Sequence, residues 1–143
     1  MKTLKRTDVG NSAPVGGMSE FAVGGNAGAK GVWLARITAE PGSGVSPVHH
    51  HCASEAIVHV ISGTLTFLFG DGLTERIDLE AGDFLFIPPH TLHAEANLGS
   101  IPAEIVMARS TPEPIAEHHR ELKVPAQMLY PPSPAWDLRS AED

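Results

Sequence analysis

The chain has 143 residues, with 17 acidic side chains against 10 lysines and arginines and a net charge of -7. That balance argues against nucleic acid or an anionic membrane as the main partner, because either favours a basic patch. Charged residues make up 19%, below the usual share of about 25%, while 14 glycines and 12 prolines mark a turn-rich chain of single-domain size.

Met1-Lys2-Thr3-Leu4-Lys5-Arg6 is charged and no apolar stretch follows it, so a secretory signal is not expected. Residues 7–31 are rich in Gly, Ser, Asn and Ala, and Val15, Met18, Phe21 and Val23 are scattered among them. This reads as an extended arm with one short strand, either flexible or paired with a sheet edge of its own or a partner chain. The run from Val32 to Thr38 predicts a strand, closed by the loop Glu40-Pro41-Gly42-Ser43-Gly44. After a cluster of histidines, Ile57-Val58-His59-Val60-Ile61 reads as a buried strand and Ser62-Gly63 as a turn. Thr64 to Phe69 alternates threonines with apolar residues, Gly70-Asp71-Gly72 signals a hairpin, and Leu73 to Leu79 has the charged and apolar alternation of an edge strand. Glu80-Ala81-Gly82-Asp83 turns the chain into the apolar strand Phe84-Leu85-Phe86-Ile87, and Ala103 to Arg109 predicts one more strand. Phe67, Phe84 and Phe86 are expected in the core.

Many short strands at near-regular spacing, with no helical period before Pro112, argue for an all-β sandwich or barrel. From Thr111 to Pro134 the prolines forbid a long helix. A short helix over Ile115–Leu122 is expected there, within an extended chain that lies on the barrel, and the polar residues after Trp136 are expected to fray. The chain then divides into an arm (1–31), a barrel (32–110) and a proline-rich extension (111–143). One cysteine, Cys52, excludes an internal disulfide and suits a reducing cytoplasm. No apolar run approaches the roughly eighteen residues of a membrane helix.

Six of the eight histidines fall between His49 and His93. On a strand, His49 and His51 project to one side and His50 to the other, so two imidazoles can grip one cation. His93, after the strand Phe84–Ile87 and the turn at Pro88-Pro89, is positioned to close the set. Imidazole suits zinc, iron, nickel and copper, and a carboxylate such as Glu55 shifts the preference toward iron or manganese. A single buried histidine in a β protein is more often a hydrogen-bonded core residue, but three at these spacings argue together for a metal. His118 and His119 are adjacent on the expected helix and so point in different directions, which favours solvent over a second metal site.

These residues resemble the two motifs of the metal-binding cupins. The first motif runs Gly, five residues, His-x-His, three or four residues, Glu, six residues, Gly, and is matched by His49, His51, Glu55 and Gly63, with Gly44 one place nearer than usual. The second is matched by Gly82, Pro88, His93 and Asn97, with His90 where the family usually has glycine. The resemblance covers Val32 to Ser110 and implies a cupin-type double-stranded β-helix, or jelly-roll, barrel with His49, His51, Glu55 and His93 as metal ligands. Seven residues separate Glu55 from Gly63 where the family has six, and a one-residue slip reverses the face of a strand. The centre is therefore either three histidines with a glutamate or three histidines alone, and His59 either lines the cavity or packs on the other face.

The resemblance further implies a divalent transition metal, Fe(II) first with Mn, Ni or Zn as alternatives, and a small-molecule substrate. The leading reading is a dioxygenase-like oxidoreductase. A metal-dependent isomerase, lyase or decarboxylase, or a non-catalytic small-molecule-binding cupin, are the alternatives, since one fold hosts many functions. Glu95 is a candidate general base, Arg36 a candidate anchor for a substrate carboxylate, and His59 a further candidate. Small cupins are often dimers, and a cytoplasmic homodimer is expected.

Overall fold

The computed structural model describes residues 1–12 and 18–132. Val15 and the tail after Trp136 lie outside the described residues. In chain order the strands are β1 (Asn11–Ser12), β2 (Met18–Val23), β3 (Trp33–Ala39), β4 (His49–His50), β5 (Ala56–Ser62), β6 (Leu65–Phe69), β7 (Glu75–Leu79), β8 (Phe84–Ile87), β9 (His93–Ala96), β10 (Ala103–Arg109) and β11 (Glu117–His118). They form two antiparallel sheets, ordered β1-β2-β3-β10-β5-β8 and β11-β4-β9-β6-β7. The chain is an all-β jelly roll of the double-stranded β-helix type.

The pleat decides what lies between the sheets. Alternate residues of β3 (Trp33, Ala35, Ile37, Ala39), β5 (Ala56, Val58, Val60) and β10 (Ala103, Ile105, Met107) are buried, and they meet Leu65, Phe67 and Leu79 of the opposite sheet. The other face of β6 is covered as well. Ala94, cross-strand from Leu68, joins Val48 and Leu73 in a second cluster against Val124 of the C-terminal segment. Arg76 fastens that segment by donating to the Met128 carbonyl at 2.8 Å and by placing its guanidinium 3.7 Å from the centre of the Tyr130 ring.

Three local outcomes matter for the site. Residues Met18–Val23 pair along β3 from Met18↔Ala39 to Val23↔Leu34, so this part of the N-terminal arm extends its own chain's sheet. The helix expected over Ile115–Leu122 does not form. Glu117 and His118 instead pair with His50 and His49, and the His119 amide donates to the Val48 carbonyl at 2.7 Å, because an open strand edge offers backbone partners that a proline-bounded segment can use. Finally, Phe84 and Phe86 face outward, 70% and 53% exposed, because the pairing Val58↔Leu85 and Ala56↔Ile87 turns Leu85 and Ile87 toward the interior. The expectation that both phenylalanines belong to the core is corrected; Phe67 is buried.

Gly63 ends β5 in the left-handed region at φ 77°, and a Cβ there would lie 2.5 Å from the Pro102 carbonyl oxygen and 2.8 Å from Ala103 Cα. Gly82, at φ 96°, has open space where its Cβ would stand. Replacing Gly82 with Ala therefore costs only the left-handed strain, about 1–2 kcal/mol. Gly63→Ala adds a backbone clash and should cost about 3 kcal/mol or more. Urea unfolding of the two variants beside the parent measures the difference; equal losses would refute the steric account.

Candidate metal centre

His49 and His93 are directly paired across β4 and β9, which sets their side chains on the same face. His51, two residues on from His49, joins them. The ring centroids lie 4.4 Å (His49–His93), 5.0 Å (His51–His93) and 5.1 Å (His49–His51) apart, and all three side chains are buried. One nitrogen from each falls within 4.8 Å of the others.

Hydrogen bonds select which nitrogens face inward. His49 Nδ1 lies 2.7 Å from the Pro47 carbonyl oxygen and His93 Nδ1 lies 2.9 Å from that of Thr91. A carbonyl only accepts, so both Nδ1 atoms carry the proton and both Nε2 atoms present lone pairs to the centre. His93 Nε2 and both nitrogens of His51 are buried without a hydrogen-bond partner. Burial, reinforced by Arg109 and the neighbouring histidines, lowers the His51 pKa to about 2. Burial also lowers that of His93, with Glu95 opposing the shift. Burial thus favours the neutral form of His51 and His93, and convergent neutral imidazoles are the donors a divalent transition metal requires.

The carboxylate near them is Glu95. It shares the His93 face of β9, and its Oε2 lies 3.6 Å from His93 Nε2 and 3.8 Å from His49 Nε2, buried and without a hydrogen bond. Glu55 is not brought to the cluster. After His51 the chain makes a turn in which Cys52 takes φ 54° and the Ser54 amide donates to the His51 carbonyl at 3.0 Å. This resets the alternation, so that Ala56, Val58 and Val60 face inward, while the amide of the exposed Glu55 donates to Ser110 Oγ at 2.9 Å and its carbonyl accepts from the Ser110 amide at 3.1 Å. The placement of Glu55 implied by the resemblance is corrected on this ground. His59 shares Glu55's outward parity and stacks on Phe84 at 4.1 Å, and Arg36 is paired with Glu104 on the outer surface. Neither reaches the histidines.

Arg109 was missed. It continues the inward parity of Ala103, Ile105 and Met107, its guanidinium sits 4.6 Å from the Trp33 ring, and Nη1 donates to the Ile115 carbonyl at 3.2 Å. A charged residue at the inward position of an apolar strand was the available signal. Beside His93 a cavity of about 240 Å³ opens, lined by Phe67, Phe69, Ile77, Leu85 and Ile87.

The His51 shift makes stability depend on pH. Between pH 2 and 6.5 the unfolded chain binds a proton at His51 that the folded chain does not, so this stability is complete above about 6.5 and is lost as pH falls. Metal-free protein should lose about 1.4 kcal/mol per pH unit at this residue below that point. Denaturant melts at pH 7 and pH 5 test this: His51→Leu should flatten the slope by that amount, and an unchanged slope would contradict the shift.

With the geometry established, the comparisons are specific. The Cupin domain family model matches residues 35–109. A germin-like protein of subfamily 2 (member 1) from Arabidopsis thaliana is 35% identical over 80 residues, 54% of this chain and 36% of that protein. The 3-hydroxyanthranilate 3,4-dioxygenase of Cupriavidus pinatubonensis is 32% identical over 68 residues, 48% of this chain and 36% of the enzyme. The chain thus spans little more than a third of the length of either. The polyketide cyclase RemF from Streptomyces resistomycificus superposes with a TM-score of 0.66 at 20% identity, covering 82% of this chain and 84% of the cyclase. No helix among the described residues is long and apolar enough to cross a membrane. Both histidine motifs, the jelly roll and a family match over more than half its length make this chain a member of the cupin family.

Proposed function

We propose that His49, His51, His93 and Glu95 hold one divalent transition metal, Fe(II) first with Mn, Ni or Zn as alternatives, and that the centre oxidises a small organic molecule in a dioxygenase-like reaction. The observation that carries this reading is the convergence of buried, unpartnered imidazole nitrogens on a buried, unpartnered carboxylate oxygen. Such atoms are costly to bury unless something pairs them. When bound, the metal supplies Lewis acidity and, as iron, the means to bring an enolic, catecholic or hydroxy-acid substrate together with dioxygen.

The chain's own residues do the rest. The Pro47 and Thr91 carbonyls fix the orientation of His49 and His93. Phe67, Ile77 and Leu85 exclude water and receive the apolar body of the substrate. Arg109 adds positive charge on the inner face of β10, which favours an anionic substrate. Glu95 binding through Oε2 would leave its other carboxylate oxygen to take a proton from a substrate and return it. That last property also favours a second reading, a metal-dependent isomerase or lyase that uses no dioxygen.

The reading includes a cytoplasmic homodimer. The partly exposed free thiol of Cys52 suits a reducing compartment. Across the outer face of the larger sheet, Leu34, Ala108, Ile57 and Phe86 lie in one cross-strand row, with Phe84 beside it. Exposed apolar area of this kind marks an interface. Light scattering should give a dimer for the parent and a monomer for the Phe84→Asp, Phe86→Asp double variant; a monomeric parent would remove this part.

Anaerobically prepared protein should carry close to one iron per chain and should consume dioxygen with enolic or aromatic acids. A His51→Ala, His93→Ala double variant should lose the metal. Glu95→Gln should bind it about 10–100-fold more weakly. Product formed under anaerobic conditions would instead select the isomerase or lyase reading, and ligand binding without product would leave a binding protein. Failure of the parent to take up any metal would overturn the proposal.

A further inference from the structure

We infer that the outer face of β4 carries a second site, for zinc or a similar borderline divalent cation, built from His50, Glu117 and His119. It stands on different residues from the inner centre. The pairing of β11 with β4 sets Glu117 opposite His50 and His118 opposite His49, so the pleat sends Glu117 and His119 to His50's side of the sheet.

There the three side chains close on one another. Glu117 Oε2 lies 3.6 Å from His50 Nε2, and Glu117 Oε1 lies 3.3 Å from His119 Nε2. One ligand atom from each of the three residues falls within 4.8 Å of the others. His119 Nδ1 sits 3.2 Å from Glu121 Oε1, a contact that leaves Nε2 directed at the Glu117 carboxylate. Nε2 is buried and makes no hydrogen bond. A divalent cation between Nε2 and Glu117 Oε1 would take the place of a ring proton there. The carboxylate-histidine pair behind it is the arrangement that orients a metal-binding imidazole. Two imidazoles and a carboxylate form a donor set that zinc accepts.

His50 is the weaker member. Its Nδ1 accepts the Cys52 amide hydrogen at 3.0 Å, so Nε2 carries the proton of the neutral ring. Ligation moves that proton to Nδ1 and breaks the Cys52 hydrogen bond, which makes the outer site bind less tightly than the inner one. A bound cation would clasp the C-terminal segment to the strand that carries His49 and His51, and so would hold His118, 5.6 Å from the His49 ring, beside the inner centre.

Equilibrium dialysis of the full chain against Zn(II), read by elemental analysis, tests this. The parent should bind two zinc ions per chain. His119→Ala and Glu117→Gln should each bind one, His51→Ala one, and the His51→Ala, His119→Ala pair none, with melting in EDTA confirming that each variant folds. A parent that binds one ion, lost in His51→Ala and kept in His119→Ala, would overturn the outer site and leave the inner one. One ion kept in His51→Ala but lost in both His119→Ala and Glu117→Gln would support the outer site and overturn the inner reading. Two ions retained in His119→Ala and in Glu117→Gln would refute the assignment.

Discussion

The cross-strand pair His49↔His93 is the contact on which the proposed metal centre depends. Two residues 44 positions apart in the chain are set face to face by backbone hydrogen bonding, and the period of the strand then recruits His51 from one side and Glu95 from the other. His49, His93 and Glu95 sit on strands, and His51 opens the turn that follows β4. The backbone carbonyls of Pro47 and Thr91, each two residues before its histidine, turn the Nε2 atoms inward. The same β4 backbone presents His50 on the opposite face, so one short strand furnishes donors in two directions.

A polar cluster of this kind costs a core stability. Phe67, Ile105 and Met107 pack around the polar cluster, and in that setting unpartnered imidazole nitrogens and a carboxylate oxygen are unfavourable. The rest of the barrel compensates with apolar layers on both faces of β6, from Leu65 and Phe67 on one side and Leu68 with Ala94 on the other. Of the three non-glycine residues in the left-handed region among those described, Cys52, Leu73 and His90, two meet through the His90 amide and the Cys52 carbonyl at 2.8 Å, joining the turn after His51 to the turn before His93.

Much of this was legible in the sequence because it depends on period. Strand alternation sets His49 and His51 on one side, and the two motifs supply His93, the family and the jelly roll. What failed was parity across irregular backbone. Glu55, Phe84 and Phe86 all follow turns, a turn resets which residues face inward, and the direction of His59 stays open in the sequence for the same reason. A left-handed Cys52 carries no signature in composition, so the outward direction of Glu55 could not be counted from either motif. Glu95 was undecided for the opposite reason: its alternation with Ala94 and Ala96 fits a buried strand and an exposed one equally well. The segment around His118 was misread as helix because nothing local shows that a distant strand edge is open to receive it.

The topology also orders events in time. β3 pairs with β10 over contacts such as Trp33↔Arg109, β5 with β10, and β4 with β9, so the ligand-bearing strands meet only after long loops have closed. Chains dominated by such distant pairings fold slowly, over roughly milliseconds to seconds. The hairpin β6–β7 closes a short loop, whereas His49 and His93 are 44 residues apart, so their pairing costs more loop-closure entropy. Until that loop closes the histidines are separate side chains, and the cluster that would hold a metal in the proposed reading does not exist.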